Sequence, residues 1–300
     1  MITFEESAPV IVGVENTDAA RIAVLWAAGE AERRGLRLRL VHALDWPPGA
    51  EHDPDMSKPW ETWSGIFRRS GQQTLEEARR FALSAHPGLD ITELLVDGEP
   101  GAVMRKQAAS AAMVVLGSRR LSSIKELLTT GSIAVPVVAH ATCPVVIVRD
   151  PEHVEDDPWT VVVGVDGSRV SERAVAFAFE EASLRGATVL AVQVRPFFAS
   201  PVVGAVTNAE EVEEGRIRLA ETLAGWSEKY PDVPVRREVV LGHPVHTLVQ
   251  ASEHALCVVV GTRGLGGFKG MLLGSVGHGL VHHARCPVVV VPRESDDEAN

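Results

Sequence analysis

The length, composition and charge of the chain restrict the classes of protein to which it can belong. Its 300 residues are 45% hydrophobic and 23% charged, and at roughly 100 to 200 residues per domain they suffice for two globular domains. The net charge of -11 opposes binding to nucleic acid, because nucleic-acid-binding proteins usually carry a basic surface. The three cysteines argue against a disulfide framework and favour a reducing compartment.

The sequence carries no pattern typical of export or of a membrane span. Residues 1–10 include Glu5 and Glu6 and lack a basic segment followed by an apolar run, so no secretory signal is predicted. No stretch approaches the roughly 18 consecutive apolar residues that a membrane helix requires. We therefore expect a cytoplasmic protein without a membrane partner.

The chain repeats itself after about 150 residues, with its landmarks in the same order in both halves. VIVGVE at 10–15 matches VVVGVD at 161–166, MVVLGS at 113–118 matches CVVVGT at 257–262, and TCPVV at 142–146 matches RCPVV at 285–289. Residues 150–158 form an acidic, proline-bearing stretch without apolar periodicity, which is typical of a linker. The repeat predicts one domain over 1–150 and a second over 158–293.

Short apolar runs bounded by turn residues alternate along each half with longer segments whose apolar positions recur every three or four residues. The short runs predict buried parallel strands, and the longer segments predict amphipathic helices. In the second half we predict strands over 160–166, 188–194, 235–241, 256–262 and 287–292, and helices over 171–184, 210–230, 245–253 and 275–283. The fold class is therefore α/β, with two tandem, doubly wound, five-stranded parallel sheets of Rossmann-like type. Ligands of such sheets bind beyond the carboxyl ends of the strands.

A glycine-rich loop follows the fourth predicted strand of the second half. Residues 261–275 read GTRGLGGFKGMLLGS and include six glycines. Glycine permits positive φ and close backbone approach, so that successive N–H groups can converge on an anion. Ser275 stands where a helix should begin, and the N–H groups of a helix N-terminus favour a phosphate. Arg263 and Lys269 bring positive charge to the same loop.

The spacing of this loop differs from the two common phosphate-binding motifs. Neither GxxxxGK[ST] nor GxGxxG occurs in the chain, so that neither motor-type ATPase chemistry nor hydride transfer is indicated. Gly261, Gly264, Gly274 and Ser275 follow a different pattern: glycine, two residues, glycine, nine residues, then Gly-Ser. With VVVGVDGS at 161–168, this pattern resembles the ATP-binding universal stress proteins. The resemblance covers nearly the whole chain, in a tandem two-domain form whose fold is related to that of the adenine nucleotide alpha hydrolases.

The resemblance implies an ATP site in the second half. Gly164 and Asp166 would meet the ribose and adenine side of the nucleotide, and the backbone of Val194 would contact the adenine edge. The phosphates would lie on Gly261, Gly264, Gly274 and Ser275, in a loop also lined by Arg263, Leu265, Gly266, Gly267 and Val276. Mg²⁺ can accompany such phosphates through water and substrate oxygens. Gly277 departs from the family pattern, in which many members carry a second serine.

The first half departs further from that pattern. Glu15 replaces the aspartate, Arg120 replaces the second glycine, and one residue is inserted before Gly131. A side chain at a position that requires positive φ costs about 1 kcal/mol or more, so we expect weak or no ATP binding here, unless Arg120 compensates electrostatically. The candidate residues of this weaker site are Gly13, Glu15, Gly117, Gly131 and Ser132.

The resemblance further implies a sensor or regulator of the stress response that binds ATP as a homodimer. Dimerisation would use the last strands of the two halves, Val145–Val148 and Val288–Val291. No base, nucleophile or pair of metal-binding carboxylates accompanies the loop, so that hydrolysis would be slow or absent. Two alternatives are an adenine-nucleotide-dependent enzyme of the alpha hydrolase type and a nucleotide-free protein-interaction module.

Some of the candidate residues also have a purely structural interpretation. The glycine-rich loop could be a flexible connector, and Asp166 could serve only to begin the turn into the next helix. Cys143 and Cys286 precede prolines at strand starts, which favours small buried hydrophobic side chains over a redox pair.

Histidines and tryptophans outside the loop raise two further hypotheses. His278, His282 and His283 suggest a metal site, but no acidic residue lies at a neighbouring ligand spacing, so surface or packing roles are favoured. We place Trp46, Trp60 and Trp63 in a long proline-bearing loop after the second strand, where packing against the sheet is favoured over capping of a ligand pocket.

Overall fold

The structure is a computed structural model that describes residues 8–46, 57–118, 133–149, 159–195, 204–262, 264 and 273–293. The chain divides into two compact units, the first spanning Phe4–Asp150 and the second containing Pro151–Asn300. Within the described residues, no helix combines the length and the apolar character that a membrane span needs.

The first unit is a five-stranded parallel sheet with helices on both faces. Its strand order is β3-β2-β1-β4-β5. Helices α1 and α2 contact each other, and α3 and α4 likewise form a pair. The elements in chain order are β1 Val10–Gly13, α1 Asp18–Arg34, β2 Leu38–Leu44, α2 Ser57–Ala85, β3 Ile91–Asp97, α3 Pro100–Ala108, β4 Met113–Gly117, α4 Ala134–His140 and β5 Val145–Val148.

The second unit repeats this topology, with strand order β8-β7-β6-β9-β10. Its elements are β6 Thr160–Gly164, α5 Arg169–Arg185, β7 Thr188–Arg195, α6 Gly204–Lys229, β8 Val235–Leu241, α7 Pro244–Ala251 with a 3₁₀ turn Ser252–His254, β9 Cys257–Gly261, α8 Ser275–His283 and β10 Val288–Val291. The prediction of an α/β fold with a five-stranded parallel sheet in each half is confirmed.

Local signals fix the first helix of each unit in the same way. The hydroxyl of Thr17 accepts a hydrogen bond from the N–H of Ala20 at 3.2 Å, and that of Ser168 accepts one from Ser171 at 3.2 Å. Gly35 and Gly186 end α1 and α5 with φ of 63°, a left-handed conformation that costs glycine little. The apolar runs that follow these caps form β2 and β7, the second strand of each unit.

The sequence-based placement of Trp60 and Trp63 in a loop is wrong, because both residues belong to α2. The helix starts at Ser57 and carries Pro59 in its first turn, where the missing N–H of proline is tolerated. Trp46 lies two residues after the end of β2, and its indole N–H donates a hydrogen bond to Asp97 at 3.0 Å. The hydrogen bond from Arg68 to the same carboxylate lowers the pKa of Asp97.

Candidate functional site

The second unit brings three predicted site residues to the same edge of its sheet. Gly164 and Gly261 end β6 and β9, and Val194 lies one residue before the end of β7. Since β6 pairs in parallel with both β7 and β9, these strand ends meet at one edge. A Cβ on Gly164 would lie 3.1 Å from Leu248 Cδ1, so glycine allows α7 to pack closely against this edge.

Asp166 and Gly264 lie against each other, although they are 98 residues apart in the sequence. One carboxylate oxygen of Asp166 accepts a hydrogen bond from the N–H of Ser168 at 2.9 Å, so Asp166 does form the turn that its sequence position suggests. A Cβ on Gly264 would lie 2.2 Å from the other carboxylate oxygen of Asp166. Only a residue without a side chain allows the backbone to approach Asp166 so closely.

Hydrogen bonds close the glycine-rich loop at its base. The N–H of Gly274 donates to the carbonyl of Thr262 at 2.7 Å, and the N–H of Thr262 donates to Val291 at 2.9 Å. Gly274 is the N-cap of α8 with φ of -66° and ψ of 157°, so its backbone is extended and not left-handed. The predicted start of α8 at Ser275 agrees with the structure.

Within the part of the chain that the structure describes, no side chain caps the N-terminus of α8, which directly follows the glycine-rich loop in sequence. Gly274 provides no side-chain acceptor, and the first N–H groups of a helix have no partner inside the helix. Ser275 is exposed and Val276 is half-buried in this first turn. The helix dipole adds a partial positive charge, so that the arrangement can accept an anion.

Gly277 fits the packing of α8, which explains its departure from the family pattern. A Cβ at this position would lie 2.8 Å from Leu273 Cδ1, and Leu273 is itself buried. The Leu273 side chain therefore takes the space that a serine side chain would enter. Sequence reasoning did not single out Leu273, because its spacing to Gly277 carries no motif.

The first unit gathers its described candidate residues around a small cavity. Gly13, Glu15 and Gly117 line a volume of about 60 Å³, which is well below the roughly 300 to 1,000 Å³ of ligand pockets. A Cβ on Gly117 would lie 2.7 Å from the carbonyl oxygen of Ala19, so this glycine serves the packing of α1 on β4. Helix α4 begins at Ala134, two residues after the Gly-Ser pair at 131–132.

Six of the candidate residues lie outside the described part of the chain. They are Arg263, Leu265, Gly266 and Gly267 in the second half, and Gly131 and Ser132 in the first. Arg120 and Lys269 also lie outside it.

The histidines of α8 pack on one another. The ring centroids of His278 and His282 are 4.6 Å apart, and those of His282 and His283 are 6.4 Å apart. Among the described residues, no three His, Cys, Asp or Glu side chains are grouped as metal ligands would be. The two ring contacts agree with a packing role for these side chains.

The cysteine thiols lie in the cores of their units. Cys143, Cys257 and Cys286 are free and buried, and burial raises the pKa of Cys143 and of Cys286 to about 12. Such thiols remain protonated at neutral pH and act as small hydrophobic side chains.

Comparisons with known proteins agree with this fold. The Universal stress protein family matches the chain twice, over residues 7–149 and 160–292. Universal stress protein Rv2005c of Mycobacterium tuberculosis is 38% identical over 291 residues, which cover 94% of this chain and 96% of the relative. Universal stress protein Rv2623 of the same organism is 38% identical over 315 residues, covering 98% and 99% of the two chains.

Solved structures are similar in fold. The crystal structure of a universal stress protein from Archaeoglobus fulgidus has a TM-score of 0.70 at 18% identity, covering 99% of this chain and 100% of that one. A putative universal stress protein from Pseudomonas aeruginosa has a TM-score of 0.56 at 14% identity, covering 96% and 93%. The two family matches together span most of the sequence, and the chain therefore belongs to the universal stress protein family, with two tandem copies of the family's domain.

Proposed function

We propose that the second domain binds ATP at the carboxyl edge of its sheet. Two observations support the proposal: the contact of Gly264 with Asp166, and the N-terminus of α8, which no described side chain caps. The phosphates would accept hydrogen bonds from the N–H groups of the loop and of Ser275 and Val276. Asp166 and Gly164 would meet the ribose and adenine side, and the backbone of Val194 the adenine edge.

The predicted contacts outside the described residues extend the same proposal. Arg263 would contribute positive charge to the phosphates, and the loop around Leu265, Gly266 and Gly267 would contribute further N–H groups. Mg²⁺ would be held by phosphate oxygens and water rather than by a dedicated set of side chains.

The first domain would bind ATP weakly or not at all. The described part of its candidate site encloses about 60 Å³, which is less than ligand pockets usually enclose. At the start of α3, the Glu99 carboxylate accepts hydrogen bonds from the N–H groups of Gly101 and Ala102 at 2.7 Å and 2.6 Å. These N–H groups of α3 are therefore already bonded to a carboxylate and unavailable to a phosphate. At the start of α7, the matching helix of the second domain, His243 makes no such cap. The proposed stoichiometry is one ATP per chain.

We further propose that the protein acts as a regulator of the stress response rather than as an enzyme. Binding with slow or no hydrolysis would suit a cytoplasmic sensor whose output depends on nucleotide occupancy. A homodimer that uses Val145–Val148 and Val288–Val291 completes the proposal.

Isothermal titration calorimetry with ATP tests the site, supported by mass spectrometry of any nucleotide released on denaturation. We expect one ATP per chain for the wild type. Gly264→Ala should bind at least about tenfold more weakly, a change of about 1.4 kcal/mol, because its Cβ would collide with Asp166. The matched control is Gly225→Ala, since a Cβ there would meet nothing within 4 Å.

Equal affinity of wild type and Gly264→Ala would refute the phosphate site. Two equivalent ATP molecules per chain would refute the assignment to the second domain alone.

A further inference from the structure

The first unit contains a second, larger cleft between α1 and α2. Its volume is about 590 Å³, which lies within the range of small-molecule pockets. Five of its lining side chains are small or apolar, and together we call them the floor: Val14, Ala20, Val24, Ala78 and Phe81. This cleft lies between the two helices, and Val14, Glu15 and Ala20 line both it and the small cavity of the first unit.

Each of the two helices contributes an arginine to the lining of the cleft. Arg21 extends from α1 and Arg80 from α2, and neither forms an ion pair with an acidic side chain of the described residues. The guanidinium of Arg80 instead donates a 3.4 Å hydrogen bond to the carbonyl of Glu76 in its own helix. Two arginines that have no acidic partner among the described residues are notable in a chain with a net charge of -11, and they favour a negatively charged group between them.

Acidic and polar side chains limit how much negative charge the cleft can accept. Glu15 and Glu77 also line it, together with Asn16, Thr74 and Ser84. A polyphosphate would face repulsion from both carboxylates, whereas a single negative charge can lie between the arginines. Phe81 is 37% exposed, so its ring can contact an apolar or aromatic part of a ligand.

The matching surface of the second unit lacks this chemistry. If α1 and α5 are aligned on their C-caps Gly35 and Gly186, Arg21 corresponds to Glu172. Gly71 and Gly215 both pack against side chains of the second and third strands of their units, and this alignment pairs Arg80 with Ala224. The arginine pair is therefore a property of the first unit and not of the repeated fold.

We infer that the cleft between α1 and α2 of the first domain binds an amphiphilic organic monoanion, a carboxylate with an aromatic or acyl body. The carboxylate lies between Arg21 and Arg80, and the body lies over Ala78 and Phe81. The two chemistries of the cleft, paired cations above an apolar floor, match the two ends of such a ligand.

Calorimetric titration of the full chain with 2-naphthoate tests this inference, and 2-naphthamide serves as the uncharged analogue. We expect one saturable site for 2-naphthoate and binding of 2-naphthamide at least about tenfold weaker, in line with the energy of hydrogen bonds to charged groups. Arg21→Gln and Arg80→Gln should each weaken naphthoate binding by about fivefold to tenfold. Ala78→Leu should abolish it by filling the floor.

Two matched controls separate the cleft from general surface effects. Arg79→Gln removes a neighbouring arginine whose Nε lies 3.8 Å from Glu93, and Thr222→Leu enlarges the position of α6 that corresponds to Ala78. Both should bind naphthoate as the wild type does. Absence of saturable binding, equal affinity for the amide, or equal losses in the controls would overturn the inference, and the exposed arginine variants keep the test valid if Ala78→Leu fails to fold.

Discussion

Glu30 and Glu181 are fully buried carboxylates at matching positions of α1 and α5. Each lies one turn before the arginine with which it pairs, Arg34 or Arg185. Burying a charge is costly unless a partner compensates it, and loss of one partner leaves the other uncompensated. The repeated fold thus depends on the same ion pair in each domain.

Glu181→Gln should lower the free energy of unfolding of the second domain by about 3 kcal/mol, because it leaves the charge of Arg185 largely buried. Urea denaturation followed by circular dichroism measures the change. Glu214→Gln is the control, since Glu214 and Arg218 form an exposed pair of the same spacing, and it should cost less than about 1 kcal/mol. Equal effects of the two substitutions would contradict the role given to burial.

Thiol reactivity provides a second prediction. Burial raises the pKa of Cys143 and of Cys286 to about 12, so at pH 8 only about one thiol in ten thousand is ionised, and the thiolate is the reactive form. In the folded protein, we expect the cysteines to react with Ellman's reagent far more slowly than they do in urea. Rapid reaction of the folded protein at pH 8 would show that the thiols are accessible.

At the candidate site, features that depend on neighbouring residues could be predicted from the sequence, whereas contacts between residues far apart in the chain could not. Ser275 could be predicted as a helix start because the glycine before it and the periodicity after it are local signals. The contact of Gly264 with Asp166 could not, because it depends on how two separate strand ends meet. The same applies to Leu273, whose side chain fills the space beside Gly277.

At the scale of elements, close packing of α8 on α7 positions the N-terminus of α8. A Cβ on Gly279 would lie 2.5 Å from Val245 Cγ1, so this glycine lets the two helices approach. Any larger residue would have to move α8 away from α7, and with it the N–H groups proposed to bind phosphate.

Gly279→Ala should therefore cost about 1 to 3 kcal/mol of stability, as overpacking generally does, and should weaken ATP binding. Removing the colliding methyl groups with Val245→Ala should partly restore both properties in the double variant, which would give a measurable coupling between the two positions. Gly225→Ala is the control, and as an unobstructed helix position it should gain about 0.5 to 1 kcal/mol. Additive losses at positions 279 and 245 would refute the contact.

Helix boundaries show where sequence patterns were insufficient. We predicted the long helix of the second half over 210–230, and it begins six residues earlier at Gly204. Gly204 and Asn208 are weak helix formers, so propensity alone delays the predicted start. In α2, Pro59 and the tryptophans likewise suggested a loop, although a proline in the first helical turn is compatible with the helix.

At the scale of the whole molecule, two domains of one fold have diverged in their proposed ligands. Alternating strands and helices were sufficient to predict the two parallel sheets, because their buried strands are continuous apolar runs. The strand order could not be derived from these runs, since it depends on which strands pair. The two domains differ in their loops and at surface positions. Arg21 of the first domain corresponds to Glu172 of the second, for example, and both residues are exposed and lie outside the core.

Hydrogen exchange of the full chain, with and without ATP, should locate the nucleotide in one domain. At an ATP concentration of 100 times Kd, binding stabilises the folded domain by about 2.7 kcal/mol, so amides of the second domain that exchange through its global unfolding should slow by about a hundredfold. Amides of β1 to β5 should be unaffected, and in Gly264→Ala, whose affinity for ATP is at least about tenfold lower, the slowing in the second domain should fall to about tenfold or less. Protection confined to the first domain that survives Gly264→Ala would place the nucleotide there, whereas protection of both domains that weakens in this variant would show that the domains unfold together.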